Sequence, residues 1–155
     1  MGNETIRYNN QTMVLYSVIV VLKYGGKQDM LRASILVTLL QDERIVSLLK
    51  ESGEDVSFAN LRILNRGMMA NINKRYYHTL PLFVNAVSML LDAQVVTLSN
   101  GEIQLKSKDS CDCFPEIGNV DSVTANRVNS VAPYILRMCE DVTTKRMIQS
   151  LNVEI

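Results

Sequence analysis

Residues 77–106 read YHTLPLFVNAVSMLLDAQVVTLSNGEIQLK, and the change of period inside this stretch decides the fold. Up to Asp92 the apolar residues Leu80, Phe83, Val84, Val87, Leu90 and Leu91 return every three or four positions, the spacing of a helix with one buried face. Pro81 lacks an N–H and fits best in a first turn, so the helix is expected to start near Thr79. Beyond it, Val95–Leu98 and Ile103–Lys106 read as two short strands around Ser99-Asn100-Gly101-Glu102. Asn-Gly joins them because both central positions of a tight hairpin turn need positive φ.

Upstream, the pattern is helical. Met13–Tyr24 follows Asn10 and Thr12, either of which can cap a helix, and Gly25-Gly26 suits the left-handed residue after a helix end. Val14, Val18, Ile19, Val20 and Val21 are β-branched, so a strand remains possible there. A helix apolar on almost every side needs burial in the core or under another subunit. From Gln28 to Leu40, Met30, Leu31, Ile35, Leu36, Leu39 and Leu40 predict a helix with one buried stripe. A short helix over Arg44–Lys50 follows, as a hairpin with it or as one helix bent at Asp42. Glu51–Ser57 is a polar loop, and Leu61, Leu64, Met68 and Ile72 mark another helix near Asn60.

Downstream, Ser107–Val120 is a loop containing Cys111 and Cys113. Asp121 is placed to cap a helix through Val123, Val128, Val131, Ile135 and Met138, which Pro133 is expected to kink or break at about 3 kcal/mol. Asp141 is placed to cap a last helix through Ser150. The expectation is one mainly α domain over 1–155, with N-terminal helices at about 13–50, a helix-helix-hairpin module at about 58–108, the loop 107–120, and C-terminal helices at about 121–151.

The chain has 155 residues, enough for a core without disulfides or metals. Hydrophobic residues at 47% and charged residues at 21% fit a globular chain. Sixteen Lys and Arg balance sixteen Asp and Glu, so no global field gathers nucleic acid or an acidic membrane. Eight Met and no Trp suit a helical core with adaptable fillers.

No signal peptide is expected. Met13–Leu22 is shorter than the about 20 residues of a membrane span, which points to the cytoplasm. The sequons at Asn3 and Asn10 then carry no sugar, and Ile6 stands where a myristoylation signal needs Ser or Thr.

Catalytic and cofactor motifs are missing. No GxxxxGK[ST] or GxGxxG occurs, so ATP binding has no support. His78, the single histidine, has no G-x-S-x-G partner motif and reads as a polar residue at a helix entrance. Asp42-Glu43 and Glu140-Asp141 read as solvated surface pairs. Cys111-x-Cys113 with Cys139 does not complete a zinc tetrahedron, so these are expected to be reduced thiols. The reading is a non-enzyme without metal, cofactor or small-molecule substrate.

One cluster invites nucleic acid. Arg62, Arg66, Lys74 and Arg75, with Tyr76 and Tyr77 beside them and Lys106 and Lys108 at the hairpin end, combine phosphate-gripping cations with rings that stack on bases. Asn71–Arg75 also reads as an ordinary cationic helix end. Helix, helix, hairpin from Asn60 to Lys106 is the order of a winged-helix module, with the second helix in the recognition position and the hairpin as wing. The other reading is a hairpin that caps a helical bundle.

Two stretches, FANLRILNRGMMANINKRYYHTLPLFVNAVSMLLDAQVVTLSNGEIQLKS (58–107) and RVNSVAPYILRMCEDVTTKRMIQSLNV (127–153), cover about half the chain. They resemble the middle component of bacterial three-component ABC systems, the family that includes the small subunit of Lamassu-type antiphage defence. The likeness lies in the Leu80–Leu91 helix with Asn85-Ala86 passing directly into the hairpin, and in a long helix followed by a short one ending Leu-x-Val. The Cys111/Cys113 loop departs from that pattern. The resemblance implies an adaptor that bridges an SMC-like or Rad50-like ATPase and an effector, often a nuclease, with catalysis in the other subunits and DNA touched through the assembly. A stand-alone winged-helix DNA-binding regulator is the rival expectation.

Overall fold

The computed structural model describes residues 2–42, 44, 45, 47, 66–107 and 122–151, with side chains for 11–42, 44, 45, 47, 71–107 and 125–151. Its elements are α1 (Gly2–Gly25), β1 (Gln28–Asp29), α2 (Met30–Gln41), α3 (Arg66–Asp92), β2 (Val96–Ser99), β3 (Glu102–Leu105), α4 (Ser122–Cys139) and α5 (Thr144–Leu151). The fold is mainly helical with a small antiparallel sheet, as the sequence predicts.

At the centre lies α2. Eight successive residues, Ala33 to Leu40, are buried, so this is no amphipathic helix with one stripe. It is walled on every side, by α1, α3, α4 and α5. Its two polar interior residues are satisfied within the helix and across to α3. Thr38 Oγ1 donates to the Ser34 carbonyl at 2.8 Å, and Ser34 Oγ shares a hydrogen bond with the Tyr76 hydroxyl at 3.1 Å. Buried hydroxyls without such partners would each cost about 1–3 kcal/mol.

The helix also starts later than its periodicity suggests. Gln28 and Asp29 form β1, and the Asp29 carboxylate accepts from Arg32 N at 3.0 Å as the N-cap.

The apolar run of α1 is covered within the chain. Val14, Leu15 and Val18–Leu22 are all buried, against α2, α3 and α4, so no second subunit is needed to cover them. This helix begins at Gly2, which removes Asn10 and Thr12 as caps. At its other end the glycines act as expected: Gly26 takes φ +69° and donates to the Leu22 carbonyl at 3.0 Å, closing the helix.

Both interior prolines are accommodated. Pro81 lies inside α3 and Pro133 inside α4, so neither the expected start at Thr79 nor the break at Pro133 occurs. Each ring is on the exposed side, while Ile72, Tyr76, Phe83 and Ala86 anchor α3, and Val131, Ala132, Ile135 and Met138 anchor α4. Burying about 1.5–3 kcal/mol per large side chain on both sides outweighs the lost hydrogen bond.

The Asn-Gly hairpin forms as read. Asn100 and Gly101 take φ 55° and 75°, and Ser99 pairs with Glu102. The sheet gains a third strand, in the order β1-β3-β2. From Arg66 on, the expected helix marked by Met68 and Ile72 and the helix of 77–92 are one, α3, while residues 60–65 lie outside the described residues. Among the described elements, α3, β2 and β3 run helix into hairpin, with α2 before them and β1 laid on β3.

Arg44, Ile45 and Ser47 are helical. The rest of the expected 44–50 helix, the 51–57 loop, the 108–120 part of the loop with Cys111 and Cys113, and Asp121 lie outside the described residues. The last helix is capped by Thr143, whose Oγ1 accepts from Arg146 N at 3.2 Å, and not by Asp141.

Arg32 fastens the C-terminal elements to α2. Its Nη1 donates to the Val142 carbonyl at 2.6 Å and contacts Met147 Sδ at 3.4 Å, and its Nη2 donates to the Cys139 carbonyl at the end of α4. A fork of two N–H groups on two carbonyls is geometry that lysine lacks. Arg32→Leu is therefore expected to lower unfolding free energy by about 3 kcal/mol, from two charged hydrogen bonds at about 1.5–3 kcal/mol each, with Arg32→Lys recovering about half. Urea denaturation checks this, and a lysine variant as stable as wild type would refute the fork.

Candidate functional site

One face of α3 lines a cleft. Asn71, Lys74, Arg75, His78, Thr79 and Leu82 follow the three-and-four spacing of a single helical face, and all six border a cavity of about 790 Å³. Met13 and Val14 of α1 add apolar floor, Gln41, Asp42 and Arg44 come from the end of α2 and just beyond, and Arg127 comes from α4. Among the described lining residues, Arg44, Lys74 and Arg75 face one carboxylate, and Arg127 borders them.

That carboxylate is a hub. Asp42 is 3% exposed, which corrects its reading as a surface residue. Oδ1 accepts from Arg44 N at 2.9 Å and Ile45 N at 3.3 Å, capping the helical residues that follow. Oδ2 lies 3.9 Å from Arg75 Nε, and Arg75 Nη1 donates to the Gln41 carbonyl at 3.0 Å. The guanidinium is thereby fixed in place with part of its five-donor edge uncommitted. Arg44 and Lys74 are exposed at the cleft. Among the described residues, no hydrogen bond or ion pair holds either side chain.

Of the sequence-predicted cations with described side chains, Lys74 and Arg75 stand apart from Lys106. Lys74 and Arg75 stand in the cleft. Lys106 sits past the other end of α3, where its Nζ reaches Gln94 Oε1 at 3.4 Å, roughly 27 Å from Lys74 at 1.5 Å per helical residue. Arg66 opens α3, and its side chain, like Arg62 and Lys108, lies outside the described residues. His78 stands in mid-helix and borders the cleft, so it is no helix-entrance residue. Tyr76 is buried on Ser34, and Tyr77 meets it edge to face at 5.7 Å between ring centroids. Only Tyr77 is exposed enough to stack on a base.

A second face of α3 points to solvent. Tyr77, Pro81, Val84 and Ser88 are exposed at helical spacing, with Val84 52% exposed although its periodicity suggested burial. Tyr77, Pro81, Val84 and Ser88 carry no charge, and Lys74 lies one turn before them on α3.

Among the described residues, no group of three or more His, Cys, Asp or Glu is placed to hold a metal ion. Cys139 is buried, and burial pushes its thiol up to about 12, with the Arg32 charge opposing. A thiol that stays protonated is a poor nucleophile.

Against protein-family models, curated proteins and solved structures, the chain matches none. Fold and site together define a mainly helical domain with a three-stranded sheet, a cationic cleft on one face of α3 and an apolar strip on another. No described helix is long and apolar enough to cross a membrane.

The Cys139 thiol carries a pH dependence with a definite sign. In the unfolded chain it ionises near its ordinary 9.0, while the folded thiol holds its proton to about 12. Its contribution is complete below pH 9 and is lost as pH climbs from 9 toward 12. Cys139→Ala is expected to flatten stability against pH in that window, measured by urea midpoints. An unchanged slope would rule the thiol out.

Proposed function

We infer that this protein is a non-catalytic adaptor subunit that holds an SMC-like or Rad50-like ATPase together with an effector, often a nuclease, in a bacterial antiphage complex. Two independent lines support the reading. One is the resemblance of residues 58–107 and 127–153 to the middle component of three-component ABC systems. The other, which carries it, is the chemistry of the outer α3 face: Tyr77, Pro81 and Val84 are exposed at helical spacing on the helix that leads into the hairpin. Aromatic and apolar groups in such a place bury against protein, since protein interfaces enrich aromatic residues and deplete charge at their centres. The apolar run of α1 no longer contributes, because it is spent on the chain's own core.

Element order favours a second reading, in which the same α3 and hairpin enter a DNA groove. It needs a phosphate-neutralising face, and of the suggested cations with described side chains, Lys74 and Arg75 line the cleft while Lys106 stands at the hairpin end.

Co-expression with an SMC-like or Rad50-like ATPase from the same genomic neighbourhood tests the first reading, and a neighbourhood that encodes none counts against it. Tyr77→Asp and Val84→Asp are each expected to weaken capture of the ATPase at least tenfold while changing stability by no more than about 0.5 kcal/mol, as for exposed positions generally. Full capture by both variants would remove α3 from the interface, and no capture by the wild-type protein would end the adaptor reading. Salt-sensitive duplex binding by the isolated protein, lost in Lys74→Glu, would establish the DNA reading instead.

A further inference from the structure

We propose that the cleft on the inner side of α3 is a binding site for a polyphosphate group, a diphosphate or triphosphate either free or carried by a nucleoside. The adaptor reading neither uses nor requires this site. Three observations point to it.

The first is charge density. Arg44, Lys74 and Arg75 reach one cavity from two parts of the chain, with Asp42 the one acid among the described lining residues. Cations gathered without equal acids repel each other and destabilise a compact state, so the arrangement is favoured when an anion joins it.

The second is preparation. Asp42 and the Gln41 carbonyl fix Arg75 by Nε and Nη1, and the same carboxylate anchors the turn that carries Arg44. A guanidinium fixed on one edge presents the other for paired hydrogen bonds to a phosphate, with Lys74 adding a mobile point charge. Asp42 already matches Arg75, which leaves Arg44 and Lys74; a lone carboxylate carries charge for one of them, whereas a polyphosphate carries enough for both.

The third is shape. About 790 Å³ lies within the usual range of small-ligand pockets, about 300–1,000 Å³. Met13, Val14 and Leu82 give the cleft an apolar floor able to take a nucleobase or ribose beside the charged wall. A concave site of this size suits a compact ligand better than a duplex backbone, which runs along an open face.

Isothermal titration at low salt into the full chain, with pyrophosphate, ATP and a 12-nucleotide single-stranded DNA, tests the proposal. Pyrophosphate and ATP are expected to bind, and Arg44→Gln and Lys74→Gln are each expected to weaken both at least tenfold. Lys23→Gln, an exposed cation at the end of α1 that does not line the cleft, should leave binding unchanged. ATP binding tighter than pyrophosphate would place the nucleoside on the apolar floor, and equal affinities would mean that the polyphosphate alone is recognised; either supports the site. Because both substituted residues are exposed, thermal melts of the variants should overlay the wild type. No binding of pyrophosphate or ATP, binding of the oligonucleotide alone, or equal loss in Lys23→Gln would overturn the proposal. None of these results depends on whether an ATPase is captured.

Discussion

Burial of α2 on all sides is the constraint from which the rest of this structure follows. A twelve-residue helix with eight successive buried positions cannot be served by one packing partner. It requires α1 along one side, α3 along another, and α4 with α5 to close the remainder. The helix has no polar face through which to meet water, so its hydroxyls are turned inward onto its own carbonyls and onto Tyr76. Its two ends are where the chain can be polar again, and both are worked by aspartates: Asp29 at the start and Asp42 just past the finish. Arg32, one turn in, joins this central element to the last two helices.

This arrangement divides the surface of α3 in two. The helix packs on α1 and α2 through Ile72, Tyr76, Phe83, Ala86 and Leu90, which leaves flanking faces of opposite chemistry. One looks across a cleft toward Arg127 and carries Lys74, Arg75 and His78. The other turns away from the molecule with Tyr77, Pro81 and Val84. Because both belong to one rigid helix of 27 residues, an anion held in the cleft and a protein seated on the outer face would be separated by little more than the diameter of that helix, about 10–12 Å.

The parts of the fold legible in the sequence are those whose causes are local. Asn100-Gly101 specified its turn because two adjacent residues must accept positive φ, and Gly26 ended α1 by accepting one such φ. The apolar run of α1 declared a core helix by composition alone. Misreadings came where distant residues decide. Pro81 looked like a helix start because nothing nearby reveals that Ile72 and Tyr76 dock on α2 and hold the preceding turns in place. Gln28 and Asp29 belong to a strand only because β3, far along the chain, offers an edge. Asp42, flanked by Glu43 and Arg44, looked solvated until Arg75 came round to it. The cleft was half visible: Lys74, Arg75 and His78 share a helical face that spacing could have shown, whereas Arg44 and Arg127 join them through tertiary packing that no periodicity records.

The enclosure of α2 also has a history in each molecule. Ribosomes deliver roughly 5–20 residues per second, so α2 is complete while its last covers, α4 and α5, are still roughly 5–20 s from emerging. Throughout that interval one of the most apolar segments of the chain has only α1, and later α3, to shelter against. The Arg32 carbonyl contacts span more than a hundred residues of sequence, and they close only when the final helix arrives. Newborn chains of this protein therefore pass through a sticky adolescence, and a stalled or truncated message ending before residue 122 leaves α2 without its last covers.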